Sequence, residues 1–335
     1  MRITETAIPG LLIIDLDVHG DNRGWFKENW QREKFTGLAP ELASFQPVQN
    51  NISFNHAGAT RGLHAEPWDK LVSVAQGKIF GAWCDLREGS ESFGEVVTHE
   101  VGPETAVFVP RGVANGFQAL EETSYCYLVN EHWSAEARYA AVNLNIVDWP
   151  LEPTEISEKD KQHPGLAEVS PMPARRVLVT GANGQLGRAL KRLLADAEFC
   201  SHADFDITNP PERNWKQYSA IINCAAYNDV NGAENDRAAA WAVNAEAPAR
   251  LARIAAENQL TLMHVSSDYI FDGTNEIHTE EELPSPLSAY GASKAAGDTA
   301  AQTAPQHYVI RTSWVFGDGE NFMSTMRRLA NKGVE

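Results

Sequence analysis

Two rhythms of apolar and polar residues divide the chain. Up to about residue 150, short apolar runs recur at 11–16, 71–75, 78–86, 106–109, 125–129 and 141–147, punctuated by Gly20, Gly24, Gly77, Gly81, Gly89, Pro110, Gly112 and Gly116. No sustained 3.6-residue period competes with them, so the spacing predicts an all-β sandwich or barrel. From residue 176 the pattern changes. The run 177–179 reads as a buried strand, followed by Gly181, Gly184 and Gly187 and an amphipathic stretch over 186–194. Strand patterns at 220–224, 260–266 and 308–312 then alternate with helical patterns at 234–257 and 291–304. That order predicts βαβ units on a parallel sheet. Between the halves, 151–163 reads as an ordered tail and the proline-rich 164–175 as a short stiff linker. The expected organisation is a β domain over 1–163, a linker over 164–175 and a Rossmann-like α/β domain over 176–335.

A length of 335 residues fits two domains. The net charge of -17 argues against nucleic acid, whose phosphates it repels. Cys84, Cys126, Cys200 and Cys224 are far apart with no C-x-x-C pair, which favours reduced thiols in a cytoplasm. No signal-like N-terminus and no apolar run of membrane length is seen, so no membrane partner is expected.

In the first half, Gly58, His64, Glu66, Lys70 and Gly77 fall in the frame of a first cupin motif, and Pro110, Gly112 and Asn115 in part of a second. That frame can carry a metal, but an ammonium at a ligand position repels a divalent cation. The expectation is therefore a jelly roll with no metal. A lone His64 could be a satisfied core histidine. Arg61 and Lys70, beside Trp68 and Phe117, point instead to a pocket for an anionic ligand. A neutral histidine is a general base near physiological pH, and a lysine stabilises an oxyanion developing on a carbonyl. Tyr127, on a later inward strand, could return a proton from the opposite face. Together these residues describe epimerisation next to a ketone through an enolate.

The segments 21–28 (DNRGWFKE), 48–51, 61–64 (RGLH), 70–72, 85–90, 93–94, 109–117 (VPRGVANGF) and 148–150 resemble the dTDP-4-dehydrorhamnose 3,5-epimerase family, in the family's order. The resemblance implies that His64 is the base, Tyr127 the acid and Lys70 the enolate stabiliser. It also pairs the histidine with an aspartate in an S-x-K-D segment, matched by 157–160, which assigns Asp160. Arg23, Phe26, Glu28, Gln49, Asn51, Arg61 and Trp133 match positions toward the nucleotide sugar. Asn115 stands where many members have histidine and Trp133 where many have tyrosine. The resemblance further implies a homodimer through this domain and no cofactor for it.

In the second half the glycine turn is a weak signal alone. Ser267 at a strand end, with Tyr290 and Lys294 four apart on one helical face, strengthens it. The lysine is expected to lower the tyrosine's pKa and the serine to bond the same carbonyl oxygen, so that Tyr290 donates a proton as hydride arrives. The segments 181–187 (GANGQLG), 223–227, 243–244, 266–273, 288–294 and 311–317 resemble the short-chain dehydrogenase/reductase superfamily, and closely its dTDP-4-dehydrorhamnose reductases. NADPH or NADH is implied, held by Gly181, Asn183, Gly184, Gln185, Leu186, Gly187, Asp206, Ile207, Ala225, Ala226, Tyr227, Tyr290 and Lys294. Asp268, Tyr269, Arg311 and Trp314 fall on the substrate side. Family members continue past Glu335, which lies in an expected helix begun near Asn321, so the α/β fold is expected to be incomplete at its C-terminus.

The two resemblances imply consecutive steps on one dTDP-4-dehydro-6-deoxy sugar. The first is epimerisation at C3 and C5, and the second is reduction of the C4 ketone. An epimerase with an inactive reductase remnant, and a non-catalytic nucleotide-sugar binder, are the alternatives.

Overall fold

A computed structural model of the chain describes residues 1–135, 137–317 and 322–331. Two compact units divide between Ala174 and Arg175. In chain order the first contains β1 (Arg2–Glu5), β2 (Leu12–Asp15), β3 (Val18–Asp21), β4 (Gly24–Lys27), α1 (Arg32–Thr36), α2 (Pro40–Ala43), β5 (Gln49–Asn55), β6 (Thr60–Ala65) and β7 (Lys70–Gln76). There follow β8 (Ile79–Asp85), β9 (Val96–Val101), β10 (Thr105–Val109), β11 (Val113–Ala119), β12 (Thr123–Val129), β13 (Ala140–Ala141) and α3 (Glu158–Lys161). One sheet has the order β1-β2-β10-β7-β12-β5 and the other β13-β6-β11-β8-β9. Their pairings are antiparallel, and the two sheets pack as a jelly roll.

Alternation sorts the side chains of each strand. Val72, Val74, Val107 and Tyr125 of the first sheet meet Ile79, Trp83, Val113 and Phe117 of the second in a buried core. On the outer face of the first sheet, Phe35 of α1 and Leu42 of α2 cover Leu12, Ile14, Leu71 and Phe108. The outer face of the second packs Leu63, Ala82 and Cys84 under Val142, Leu144, Val147 and Met172.

Two expectations for this half are corrected. The run 141–147 is not a strand beyond Ala141. Asn143 accepts a hydrogen bond from Asn145 N (2.9 Å) and caps a short 3₁₀ turn over Leu144–Ile146, a local bond that competes with the ladder. The stretch expected as a linker is packed onto the first unit as far as Pro173. Met172 is fully buried and exchanges backbone hydrogen bonds with Leu86 (2.7 Å) and Glu88 (2.8 Å), and Pro173 O accepts from Arg111 Nη1 at 2.7 Å.

The second unit contains β14 (Arg176–Thr180), α4 (Gln185–Leu190), β15 (Glu198–Cys200), β16 (Tyr218–Asn223), α5 (Val230–Asn235), α6 (Arg237–Trp241), α7 (Ala247–Asn258), β17 (Thr261–Ser267), α8 (Ala289–Ala301), β18 (His307–Thr312) and α9 (Phe322–Asn331). Asn321, expected near the start of the last helix, lies outside the described residues. The sheet order is β15-β14-β16-β17-β18 with every pair parallel. Leu178, Ile221 and Leu262 pack against Leu251, Ala252 and Ala255 of α7. The helix expected over 234–257 is broken into three. Asp236 caps α6 by accepting from Ala239 N at 3.0 Å. A π turn over Ala242–Glu246 precedes Pro248, which has no N–H to give the preceding turn.

Candidate active sites

In the first unit a cavity of about 630 Å³ opens between the sheets, lined among others by Asn51, Arg61, His64, Glu66, Lys70, Asn115, Tyr127 and Asp160. His64 comes from β6 in one sheet; Lys70 and Tyr127 come from adjacent strands of the other. The cavity therefore has an imidazole on one wall and an ammonium and a phenol on the facing wall. Gly62, two residues before His64, lets β6 approach β11 closely: a Cβ there would stand 2.5 Å from Gly116 Cα.

Asp160 reaches His64 across 96 residues because Ser157 caps α3, accepting from Asp160 N at 3.1 Å. His64 Nε2 then lies 2.7 Å from Asp160 Oδ1, and Gly62 N donates to Oδ2 at 3.2 Å. Burial raises the Asp160 carboxyl's pKa. The His64 and Gly62 hydrogen bonds outweigh it and hold the group below its ordinary value. The carboxylate fixes the tautomer with hydrogen on Nε2 and leaves Nδ1 as the basic nitrogen. Lys70 Nζ is 2.6 Å from Glu66 and 4.6 Å from the Tyr127 ring centroid. Glu66 also accepts from Trp68 Nε1 at 3.0 Å. Burial, followed by the charge of Glu66, pushes the Tyr127 phenol above its ordinary pKa, so it keeps its proton at neutral pH.

The structure brings together His64, Lys70, Tyr127, Asp160, Asn51 and Arg61, but not the other expected sugar-side residues. Within this chain Arg23 is exposed and paired with Asp21, Phe26 is 65% exposed, and Glu28 pairs with Lys34. Trp133 is 65% exposed with its backbone N 3.4 Å from Gln49 Oε1, and Gln49 itself bonds Asn51. None of these five lines the cavity. Sequence reasoning missed Ser53, Tyr125, Glu155 and Lys159, which do line it. It gave Glu66 no role beyond a vacated ligand position.

The second unit has a cavity of about 490 Å³ at the carboxyl ends of its strands, where the order switches between β14 and β16. Gly184, Gln185, Leu186, Ala226, Ser267, Asp268, Tyr269, Tyr290, Lys294 and Trp314 line it, with Cys224 of the 223–227 segment and with Asn228 and Val230, which lie outside the expected residues. The glycine turn is built for close approach. Gly181 has φ +71° and a Cβ there would stand 2.8 Å from Ala225 N; one on Gly187 would stand 2.4 Å from Gly181 O. Gly184 opens α4 with no side-chain cap, leaving its first N–H groups toward the cavity. These features fit a dinucleotide pyrophosphate.

Ile207, Asp206, Asn183, Ala225, Tyr227 and Arg311 do not line this cavity, and the expected pKa shift of Tyr290 is reversed. Ile207 is buried in the core, and Asp206 bonds Thr208 (2.7 Å to its hydroxyl); neither lines the cavity. Asn183, Ala225 and Tyr227 do not line the cavity either. Arg311 is turned away from it, donating from Nε to Asp298 at 3.0 Å under the sheet. The Tyr290 phenol is not lowered. Burial raises its pKa, Asp268 and Tyr269 add to this, and the Ser267 hydroxyl only partly opposes them. Lys294, almost fully buried, is drawn down to about 8 by desolvation and donates to Val265 O at 2.7 Å.

Among the described residues no helix is long and apolar enough to cross a membrane. The dTDP-4-dehydrorhamnose 3,5-epimerase family matches residues 5–168, and the RmlD substrate binding domain matches 175–335. The first half is 52% identical over 176 residues to a Streptococcus pyogenes protein called RmlC homolog, covering 49% of this chain and 89% of that protein. It is 34% identical over 184 residues to the Pseudomonas aeruginosa dTDP-4-dehydrorhamnose 3,5-epimerase, covering 52% of this chain and all of that one. The second half is 42% identical over 173 residues to the Mycobacterium tuberculosis dTDP-4-dehydrorhamnose reductase, covering 47% of this chain and 56% of that enzyme. The chain spans about half the length of the curated reductases it matches. Through its first unit the chain belongs to the dTDP-4-dehydrorhamnose 3,5-epimerase family, with a region matching the RmlD substrate binding domain behind it.

Proposed function

We propose that this chain epimerises dTDP-4-dehydro-6-deoxy-glucose at C3 and C5 and then reduces the C4 ketone to give dTDP-L-rhamnose. The observation that carries the reading is the His64–Asp160 pair (2.7 Å) on one wall of a cavity whose facing wall holds Lys70 and Tyr127. His64 Nδ1 takes the proton next to the ketone, and Asp160 stabilises the imidazolium that results. The Lys70 ammonium stabilises the enolate oxygen. Tyr127 then delivers a proton to the carbon from the other face, which inverts it. Repetition at the second carbon needs the same groups.

For the second step, a nicotinamide nucleotide, NADPH or NADH, supplies the hydride when bound. Gly181, Gly184 and Gly187 give its phosphates room, Ser267 orients the ketone oxygen, and Tyr290, held protonated by burial, supplies that oxygen's proton. The Lys294 ammonium beside this path favours the phenolate left behind.

The reading includes a homodimer through the first unit. Its support is the open outer side of β5, where Ile52 is 68% and Phe54 58% exposed at a sheet edge, together with the exposed Trp25 and Phe26 of the β3–β4 hairpin. A cytoplasmic setting is supported by four cysteines that are all free thiols.

The test is mass spectrometry of dTDP-4-dehydro-6-deoxy-glucose incubated with the protein in D2O, with and without NADPH. Deuterium uptake without nucleotide and a reduced, deuterated product with it are expected. His64→Ala should abolish uptake, and Tyr290→Phe should abolish reduction alone. Loss of uptake in Tyr290→Phe would refute two independent sites. Uptake with no reduction would leave only the epimerase.

A further inference from the structure

His163 is a buried side chain that the proposed reaction leaves unused. It ends the turn that begins at Ser157, and its side chain is only 8% exposed. Both ring nitrogens are buried without a well-formed hydrogen bond, although the Gly62 backbone is close enough to interact with the ring. Its Nε2 stands 3.8 Å from Asp160 Oδ1, and its ring meets that of His64 edge-on at 5.1 Å between centroids.

One nitrogen from each of His64 and His163 and one Asp160 oxygen therefore lie within 4.8 Å of one another. Zinc ligands at about 2.0–2.1 Å in a tetrahedron stand about 3.4 Å apart. The observed separations from the carboxylate, 2.7 Å and 3.8 Å, bracket that value. Two imidazoles and one carboxylate suit zinc and its borderline neighbours better than magnesium or calcium. The Lys70 ammonium, which argues against a metal within the cupin frame, has its charge matched by Glu66.

We propose that His64, Asp160 and His163 form an inhibitory site for zinc or a similar divalent ion. This rests on His64 being the base. In the metal-free site the Nε2 proton faces Asp160, and the Nδ1 lone pair accepts the carbon proton. An ion taken by the Nε2 lone pair displaces that proton to Nδ1. The ring's proton count is unchanged, but the nitrogen facing the substrate no longer has a lone pair. No substrate bond is made or broken, and the fourth ligand position is left for water.

The experiment uses the full chain stripped with a chelator. Co²⁺ is titrated and its visible absorption read, and deuterium exchange is followed with and without Zn²⁺. The expected result is the visible bands of four-coordinate cobalt, together with exchange that zinc stops and chelator restores. His163→Asn should keep its metal-free exchange rate. Loss of an outer partner alone costs a metal site about 10–100-fold, so loss of this ligand should weaken binding and inhibition by at least about tenfold. His163→Gln provides a second variant should the first fold poorly. Absence of cobalt bands in the unmodified chain would overturn the proposal, as would zinc slowing either variant as strongly as the unmodified chain. Absence of metal-free exchange would refute His64 as base, while the cobalt bands would still report the ion site.

Discussion

At the scale of single residues, charge balance around the phenol and the imidazole governs the first site. Glu66 sits 2.6 Å from Lys70, and after burial its charge is the main influence raising the Tyr127 pKa. Glu66→Gln removes that charge, so the phenol should ionise at a lower pH. The alkaline limb of the exchange rate, measured as deuterium uptake against pH, is then expected to move downward; an unmoved limb would exclude this coupling. Asp160→Asn keeps the shape but not the charge, and should slow exchange on the order of a hundredfold to ten-thousandfold. It also changes acid stability. A carboxyl held below its ordinary pKa stabilises the fold fully above that ordinary value and loses the contribution as pH falls through the folded one. Urea midpoints at pH 7 and pH 3 should therefore differ less in Asp160→Asn than in the unmodified chain.

At the scale of elements, β5 and β18 are alike in being edge strands with apolar side chains in solvent. On β5 Asn51, Ile52 and Ser53 all border the cavity, while the Ile52 and Phe54 side chains are largely exposed. The helices α1 and α2 cover the sheet around β2 and β10 instead. If this strip is the dimer surface, Phe54→Asp should convert a dimer to a monomer by sedimentation at micromolar concentration. A variant that sediments unchanged would move the interface elsewhere. On β18, Tyr308 is 62% and Ile310 44% exposed, and period two sends Arg311 to Asp298 and Thr312 to the cavity. Trp314, beyond the strand, reaches the same cavity.

At the scale of the whole molecule, the chain joins two units that each contain their own core and their own cavity. Damage to one site should therefore spare the other. Gly187→Val tests this separation: its side chain would press on Gly181 O, which a Cβ alone reaches at 2.4 Å. Overpacking of that kind costs about 1–3 kcal/mol. NADPH binding, followed by nucleotide fluorescence, should weaken tenfold or more, with deuterium exchange in the first unit unchanged. A parallel loss of exchange would show that the units depend on each other.

Much of this was legible in the residues because the signals are local. The change from period two to alternating strand and helix patterns marks two domains, since each element must bury one face and its side chains repeat with its own geometry. His64, Lys70 and Tyr127, and likewise Ser267, Tyr290 and Lys294, lie on strands and a helix whose periods present them together. Asp160, 96 residues from its partner, was reached only through the family resemblance of its S-x-K-D segment. What the tertiary structure alone decided is which groups face each other and what surrounds them. Burial, a property of the folded whole, raised Tyr290 where a neighbouring lysine suggested the reverse. Packing set Arg311 against Asp298, buried Ile207 and kept Arg23, Phe26 and Glu28 outside this chain's cavity. It also placed His163 beside His64, because contacts across a hundred residues depend on how the chain returns and leave no period in the sequence.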